Sequence, residues 1–257
     1  MSCKEDIEYE EKFVAFIDIL GFGSLINQNK EDSIKVIQSL NEDINHVLWA
    51  ISEDKYLDES LSIKLFSDCF CLSSSDIFLI LKEVSYLQNF LSLNGIFVRG
   101  AISKGLHFEN NNIIFSRGLI EAHELEKVAK YPRVILSTQL IDAYENSIER
   151  GCVLKSGDNV PFVHYLNQFP YYEDFPDEDI FLEAHKDSIV QQVKKNINMP
   201  KVLEKYRWTA EYHNYYVHAS YNQNDWEEDY YLEILDRLIV PMTIFPGFEE
   251  WNGSAYV

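Results

Sequence analysis

Two periods alternate along this chain, the two-residue period of a strand and the 3.6-residue period of a helix, and the switches between them outline its elements. Residues 12–18 (KFVAFID) form a short apolar run rich in aromatic and branched side chains. It ends at Ile19-Leu20-Gly21-Phe22-Gly23, where two glycines mark a break. Ser24 is placed to cap a helix, and the pattern from 31 to 52 predicts a long amphipathic one. Residues 62–66 and 69–73 are strand-like runs separated by little more than Ser67-Asp68, which reads as a tight hairpin. From 76 to 93 the apolar positions Phe78, Leu79, Leu81, Val84, Leu87 and Phe90 recur with helical spacing until Asn94-Gly95 stops them. A strand follows over 96–103, then a polar loop over 104–112 and a short apolar run at 113–115. A helix over 118–128 and a strand over 133–136, behind Pro132, complete the regular part.

The resulting βαββαβ order is the split-βαβ, ferredoxin-like arrangement of an α+β fold: an antiparallel sheet with helices on one face. Beyond residue 137 the signals weaken. Residues 161–175 are aromatic and turn-rich, 174–179 form an acidic loop, and 187–216 look helical with an interruption at Met199-Pro200. No internal repeat or low-complexity segment is present. The chain therefore divides into a core over 1–137 and a mostly helical extension over 138–257, packed on the core rather than folding independently.

Composition narrows the class. At 257 residues the length suits one large domain or a domain with an extension. A formal net charge of −20 and a sequence pI near 4.6 exclude a basic nucleic-acid groove and disfavour docking on anionic membrane. Hydrophobic content of 46% with 14% aromatic residues is enough for a proper core. No apolar run approaches the ~18 residues of a membrane span. The acidic start MSCKEDIEYEEK does not read as a secretory signal, so a cytoplasmic location is expected. Cys3, Cys69, Cys71 and Cys152 are too scattered for a zinc ribbon or a disulfide framework and read as reduced packing residues.

Candidate chemistry centres on two aspartates. Asp18 ends a buried strand immediately before a glycine-containing turn, where a carboxylate is costly unless paired or holding a metal. Asp68 sits at the hairpin tip, and in a split-βαβ sheet the first strand lies beside that hairpin, so both carboxylates can converge. With the Ile19 carbonyl they give an all-oxygen site suited to Mg²⁺ or Mn²⁺, with substrate phosphates filling the shell. The amides of Leu20, Gly21, Phe22 and Gly23 would supply an anion seat at a helix start. Separately, a strand-end aspartate reads as a turn or cap residue and a hairpin aspartate as ordinary turn chemistry. Their combination on this element order is the specific signal.

Other features have plain structural readings. His213 and His218 are five apart, off one helical face and without a flanking metalloprotease pattern. Tyr206, Trp208, Tyr212, Tyr215 and Tyr216 read as a packed C-terminal helix or a dimer face rather than a base-stacking platform. The acidic stretches 5–11 and 173–179 read as solvated surface.

The segments FVAFIDILGFGSLI, KLFSDCF and FVRGAISKG resemble the class III nucleotide cyclase core. GLIEAHELEKVAKYPRVILS and KYRWTAEYHN are more similar to one branch, the bacterial pyrimidine nucleotide cyclases of Pycsar antiphage defence. The resemblance covers residues 12–137 and, beyond them, the stretch 205–214. It implies that Asp18 and Asp68 are the two metal aspartates, with Ile19 lending its carbonyl to a pair of Mn²⁺ or Mg²⁺ ions. Arg99 matches an arginine that meets the substrate phosphates, and Lys64 the position from which a partner subunit reads the base. The family's ribose-positioning Asn and transition-state Arg fall here on Ile120 and Glu124. Another cation must then serve the pentacovalent phosphate, with Arg117, Lys104 and Lys205 as candidates. Lys64 is donor-only, which leans toward uracil over bases with exocyclic amines. The alternative is an edge-strand lysine that blocks sheet association.

The implied activity is conversion of a pyrimidine nucleoside triphosphate, UTP in preference, to its 3′,5′-cyclic monophosphate and pyrophosphate. The enzyme would be a homodimer with active sites at the interface, and its diffusible product an antiviral second messenger acting through an effector. Two alternatives stand beside it: a cytidylate cyclase making cyclic CMP, and a non-catalytic cyclase-like nucleotide-binding dimer.

Overall fold

The apolar run near the N-terminus becomes the centre of the sheet. Strand β1 (Glu10–Ile19) is buried on both faces from Phe13 to Ile17, consistent with a run that lacks polar alternation. The computed structural model describes residues 9–23, 30–53, 61–143, 151–171, 177–221 and 228–246. Helix α1 spans Lys30–Glu53, and the hairpin β2 (Ser62–Phe66) and β3 (Cys69–Ser74) follows it. Next come α2 (Ile77–Leu93), β4 (Val98–Glu109), β5 (Ile114–Ser116), α3 (Arg117–Glu126), β6 (Val134–Leu136) and α4 (Thr138–Ala143). The remainder holds β7 (Val153–Lys155), β8 (Pro161–Val163), α5 (Glu178–Lys195), α6 (Pro200–Ser220) and α7 (Glu228–Leu238). The sheet order is β2-β3-β1-β4-β6-β8-β7, with β5 paired to β4 off this path. All pairs are antiparallel except β4 with β6, so the sheet is mixed. Among the described residues no helix is long and apolar enough to cross a membrane.

The expected elements are present with shifted ends. The hairpin turn is Ser67-Asp68, and Ser67 takes a left-handed φ of 59° to make it. Strand β4 runs on to Glu109 through residues that read as a polar loop. Its polar stretch is held by backbone pairing with β1 as far as His107 and with β5 beyond, so pairing rather than apolarity makes it a strand. The acidic stretch after Asp177 opens α5, where Glu178 and Asp179 in the first turn favour the helix dipole. The break at Met199-Pro200 is confirmed, with Pro200 starting α6. Strands β7 and β8 were not legible, since each is only three residues long. The proposed Ser24 cap lies outside the described residues.

Alternation along β1 assigns the layers. Phe13, Ala15, Ile17 and Ile19 join the main core with Ile80, Leu81, Val84 and Leu87 of α2. Helix α1 packs beside α2, with the His46 ring stacked on Phe90 at 4.8 Å. Helices α1 and α2 supply the expected helical layer, whereas α3, expected on the same face, is not part of it. The opposite face, bearing Val14 and Phe16, is covered by α3. His123 meets Phe16 edge-on at 5.0 Å, and Ser103 Oγ donates to the Gly118 carbonyl at 2.6 Å. This close seat needs glycine on both sides. A Cβ on Gly105 would lie 2.7 Å from the Gly118 amide, and one on Gly118 would lie 2.9 Å from Val14.

The C-terminal helices are anchored by buried polar groups. Tyr206, Trp208, Tyr212 and Tyr216 are buried, which gives the aromatic set its packed-helix reading. Arg133, only 2% exposed, forms a two-pronged pair with Asp158 and faces the Trp208 ring at 5.4 Å. His213 donates from Nε2 to the Leu238 carbonyl at 2.9 Å, which leaves its Nδ1 to accept from His185 Nδ1 at 2.9 Å. His185 Nε2 then accepts from the Tyr165 hydroxyl at 3.2 Å. Tyr212 accepts from the Leu166 amide and donates to His164 Nδ1.

These assignments keep three histidines neutral. Burial lowers His164 to about 4, burial lowers His213 to about 4, and burial together with His213 holds His185 well below the ordinary value. The unfolded chain takes up protons near 6.5 that the fold refuses. Stability should therefore be full above about pH 6.5 and fall as pH drops toward 4, by about 1.4 kcal/mol per pH unit for each histidine. Urea midpoints between pH 7 and 5.5 test this. His213→Gln should shallow the slope by about one proton, and an unchanged slope would reject the assignment.

Candidate active site

The register of β1 brings three candidate side chains into one row. Asp18 lies directly opposite Cys69 on β3 and Arg99 on β4, and directly opposed residues share a face. Asp68 joins them because the Ile19 amide donates to its carbonyl at 3.0 Å, clamping the hairpin turn to the end of β1. One oxygen from each aspartate and the Cys69 sulfur all lie within 4.8 Å of one another. The Cys69 sulfur lies 3.8 Å from an oxygen of each aspartate, and its single S–H is shared between them. Burial and the two carboxylates push that thiol up to about 12, so it stays protonated and the oxygens are the available donors. Burial also raises Asp18, which Arg99 opposes and Asp68 reinforces. Two crowded, partly desolvated carboxylates suit a divalent oxygen-seeking cation such as Mg²⁺ or Mn²⁺.

Arg99 is fixed from two sides. Its Nε lies 3.4 Å from Asp18 Oδ2 and 2.5 Å from Glu126 Oε1. Glu126 did not stand out in the sequence, although its position was encoded. Gly118, Ala122 and Glu126 form the buried stripe of α3 at four-residue spacing, and the last of them meets the arginine. Burial raises the Glu126 carboxyl, Arg99 opposes this, and Asp18 adds to it.

The turn after β1 is divided between sheet and solvent. The Leu20 amide donates to the Phe97 carbonyl at 2.9 Å, so it is withdrawn from the expected anion seat. Gly21 takes a φ of 78° and leads into a helical turn at Phe22 and Gly23. Gly21 and Gly23 are exposed, and a Cβ on either would meet nothing within 4 Å. The amides of Gly21, Phe22 and Gly23 remain the candidates for that seat.

Lys64 is on the edge strand β2, opposite Cys71, which in turn faces Phe16. It shares the face of Asp18 one pair further along the strands. Its ammonium donates to the Asn110 carbonyl and lies 3.9 Å from Glu109 Oε2. Glu109 also receives Ser73 Oγ at 3.3 Å, with His107 Nε2 3.3 Å away. Burial would raise Glu109, but His107, Ser62 and Lys64 together bring it to about 2. Glu109 and His107 were hidden from sequence reading because their segment looked like a loop.

The remaining positions separate clearly. Ile120 and Glu124 point outward from α3, with Glu124 paired to Lys127 at 2.7 Å. Lys104 belongs to the opposite face, 5.4 Å over the Phe13 ring and 3.3 Å from Glu11, which removes it as a candidate cation. Arg117 is exposed at the start of α3. Lys205 is half-buried on α6 and electrostatically coupled to Asp18, Glu126 and Arg99.

No family model and no curated protein matches the chain. Among solved structures it is similar to the adenylyl cyclase CyaB from P. aeruginosa, at 13% identity over 62% of this chain and 96% of that one, with a TM-score of 0.44. It is also similar to the guanylyl cyclase domain of the RhoGC fusion protein from the aquatic fungus Blastocladiella emersonii. That match has 12% identity over 60% of this chain and 94% of the other, with a TM-score of 0.42. A class III adenylyl cyclase-like ATP-binding protein from Pseudomonas aeruginosa is similar at 14% identity over 55% of this chain and 37% of that chain, with a TM-score of 0.41. At this level of identity nothing about activity follows from them.

The carboxylate pair generates a direct test. Mn²⁺ at ten times its dissociation constant should stabilise the protein by about 1.4 kcal/mol, a rise in Tm of about 3–5 °C. Asp68→Asn should lose that rise while staying folded. An equal rise in the variant, or none in the wild type, would remove the metal assignment.

Proposed function

We propose that the protein is a homodimeric class III nucleotide cyclase that converts a pyrimidine nucleoside triphosphate, UTP in preference, to its 3′,5′-cyclic monophosphate and pyrophosphate. The observation that carries this reading is the convergence of Asp18 and Asp68 beside Arg99 at the end of a central strand. The quoted cyclase-like segments supply the reaction. Catalysis belongs to the core over 1–137, with 138–257 packed on it, and the cytoplasmic product acts as a diffusible signal in antiviral defence.

Bound at Asp18, Asp68 and the Ile19 carbonyl, two divalent cations supply Lewis-acid polarisation of the ribose 3′-hydroxyl and neutralise the phosphates. The protein's own groups position the reactants. Arg99, held through Nε, directs its guanidinium at the phosphates, and the amides of Gly21, Phe22 and Gly23 cradle phosphate oxygens at a helix start. The 3′-oxygen then attacks the α-phosphorus in line, the bond to the bridging oxygen breaks, pyrophosphate departs, and the hydroxyl proton passes to water. Lys64 of the partner subunit donates to the base, so a twofold dimer makes two equivalent sites. Phe66 on β2 and Ile120 on α3, both exposed, give this side apolar surface for a partner to cover.

A non-catalytic nucleotide-binding dimer is the second reading. Ile120 and Glu124, exposed where the family carries Asn and Arg, favour it. One assay separates the two: purified protein with Mn²⁺ and each nucleoside triphosphate, read for cyclic product by mass spectrometry. Asp18→Asn and Asp68→Asn should each cut turnover at least ~10²-fold. Near-wild-type turnover in either variant would sink the mechanism.

Substrate choice is tested by competition among the four triphosphates at equal concentration. A buried donor left unpaired costs ~1–3 kcal/mol, so CTP should turn over about tenfold more slowly than UTP. Lys64→Ala should narrow that gap. Dominant cyclic CMP would overturn the base assignment, and dominant cyclic AMP the pyrimidine reading as a whole.

A further inference from the structure

We propose that Lys205, carried by α6 in the C-terminal extension, is a catalytic residue that contacts the triphosphate in the same subunit as Asp18 and Asp68. The inference rests on the cyclase reading and names the cation that reading lacks. Phosphoryl transfer needs positive charge on the equatorial oxygens, and Ile120 and Glu124 cannot supply it. Lys104 is on the wrong face, and Arg99 already answers two carboxylates.

The backbone places Lys205 where the charge is needed. Leu20 follows Asp18 by two residues and Phe97 precedes Arg99 by two, just past the paired ends of β1 and β4, where the Leu20 amide donates to the Phe97 carbonyl. The first half of α6 packs on that pair, with Leu203 and Tyr206 in one apolar cluster with Phe97 and Leu20. The Tyr206 ring meets Phe97 edge-on at 5.5 Å. Glu204 is bonded to Lys130, just beyond α3, and Trp208 stacks on Tyr131 at 5.5 Å. Lys205 is therefore flanked on both sides by residues that dock α6 against the end of the site.

Its surroundings are electrostatically poised. Burial and the Arg99 charge push the ammonium down, while Asp18 and Glu126 pull it back up. Among the described residues Lys205 has no ion pair of its own. A half-buried ammonium on a flexible stem can follow phosphate oxygens as their geometry changes, which a rigid guanidinium fork does less readily. The packed helix beneath it supplies the rigid base such a group requires.

Lys205→Met keeps the apolar stem and removes the charge, and Lys205→Arg keeps the charge. Lys205→Met should lower kcat by about 10²-fold and kcat/KM by more than that. Lys205→Arg should recover to within about tenfold of wild type. Calorimetry of pyrophosphate with Mn²⁺ should show affinity reduced at least about tenfold in Lys205→Met and largely kept in Lys205→Arg. Unchanged kcat together with unchanged pyrophosphate affinity would overturn the proposal. If wild type forms no cyclic product from any triphosphate, the cyclase reading fails, and the pyrophosphate arm alone decides whether Lys205 is a phosphate ligand. Mixing Lys205→Met with Asp68→Asn protein should restore no turnover, because both lesions fall in the same half-site. Recovery would place Lys205 in trans and reject the assignment made here.

Discussion

The cost of holding Asp18 ionised at the end of a buried central strand governs this structure. Burial disfavours the charged form, and Asp68 makes matters worse from across the turn. One cationic neighbour, Arg99, offsets this, and it is shared with Glu126. A carboxylate in that position is tolerable because several elements converge on it. Strand β1 must pair with β3 and β4 in one register, since a slip of one residue would turn Asp18 into the core beneath α2 and Ile17 into the site. The Ile19 amide on the Asp68 carbonyl and the Leu20 amide on the Phe97 carbonyl fix that register at its functional end.

The covering helix follows from the same requirement. Glu126 can reach Arg99 only if α3 lies close over β1 and β4, and the Gly105–Gly118 approach permits this. The helix buries little apolar surface of its own, with Gly118, Ala122 and Glu126 as its buried residues. Its place is set by shape and by one ion pair rather than by a broad hydrophobic stripe. Losing Glu126 would leave Arg99 partly buried against a single distant carboxylate, the asymmetric situation in which broken pairs cost most.

Legibility in the sequence followed the physics of each signal. Strand β1, α2 and the hairpin were readable because burial on one or two faces writes itself into apolar period, and Asn94-Gly95 punctuates α2 plainly. The aspartates were readable because a charge inside such a run is anomalous. The second half of β4 was not readable, because Lys104, His107 and Glu109 are polar and only backbone pairing makes them strand. That concealed the Glu109–Lys64 contact. Glu126 was concealed differently: helix polarity alone does not distinguish a solvated glutamate from one buried against an arginine. Strands β7 and β8 are too short to show a period.

The C-terminal helices reach the end of the central strands from more than a hundred positions away. Helix α6 is not held by a generic apolar face. Its aromatic side meets the Arg133–Asp158 pair at Trp208, and its inner polar residues are tied at both ring nitrogens of His213 and both ends of the Asn214 amide. Arg133, His213 and Asn214 are buried, so shifting α6 by one residue would strand several donors and acceptors at once, at about 1–3 kcal/mol apiece. Buried hydrogen bonds are poor sources of net stability but strict arbiters of position. The position they enforce puts Tyr206 on Phe97 and, one residue before it, Lys205 within the electrostatic influence of Asp18, Glu126 and Arg99. Polar groups in the interior of the C-terminal helices thereby fix where α6 meets the end of the first strand.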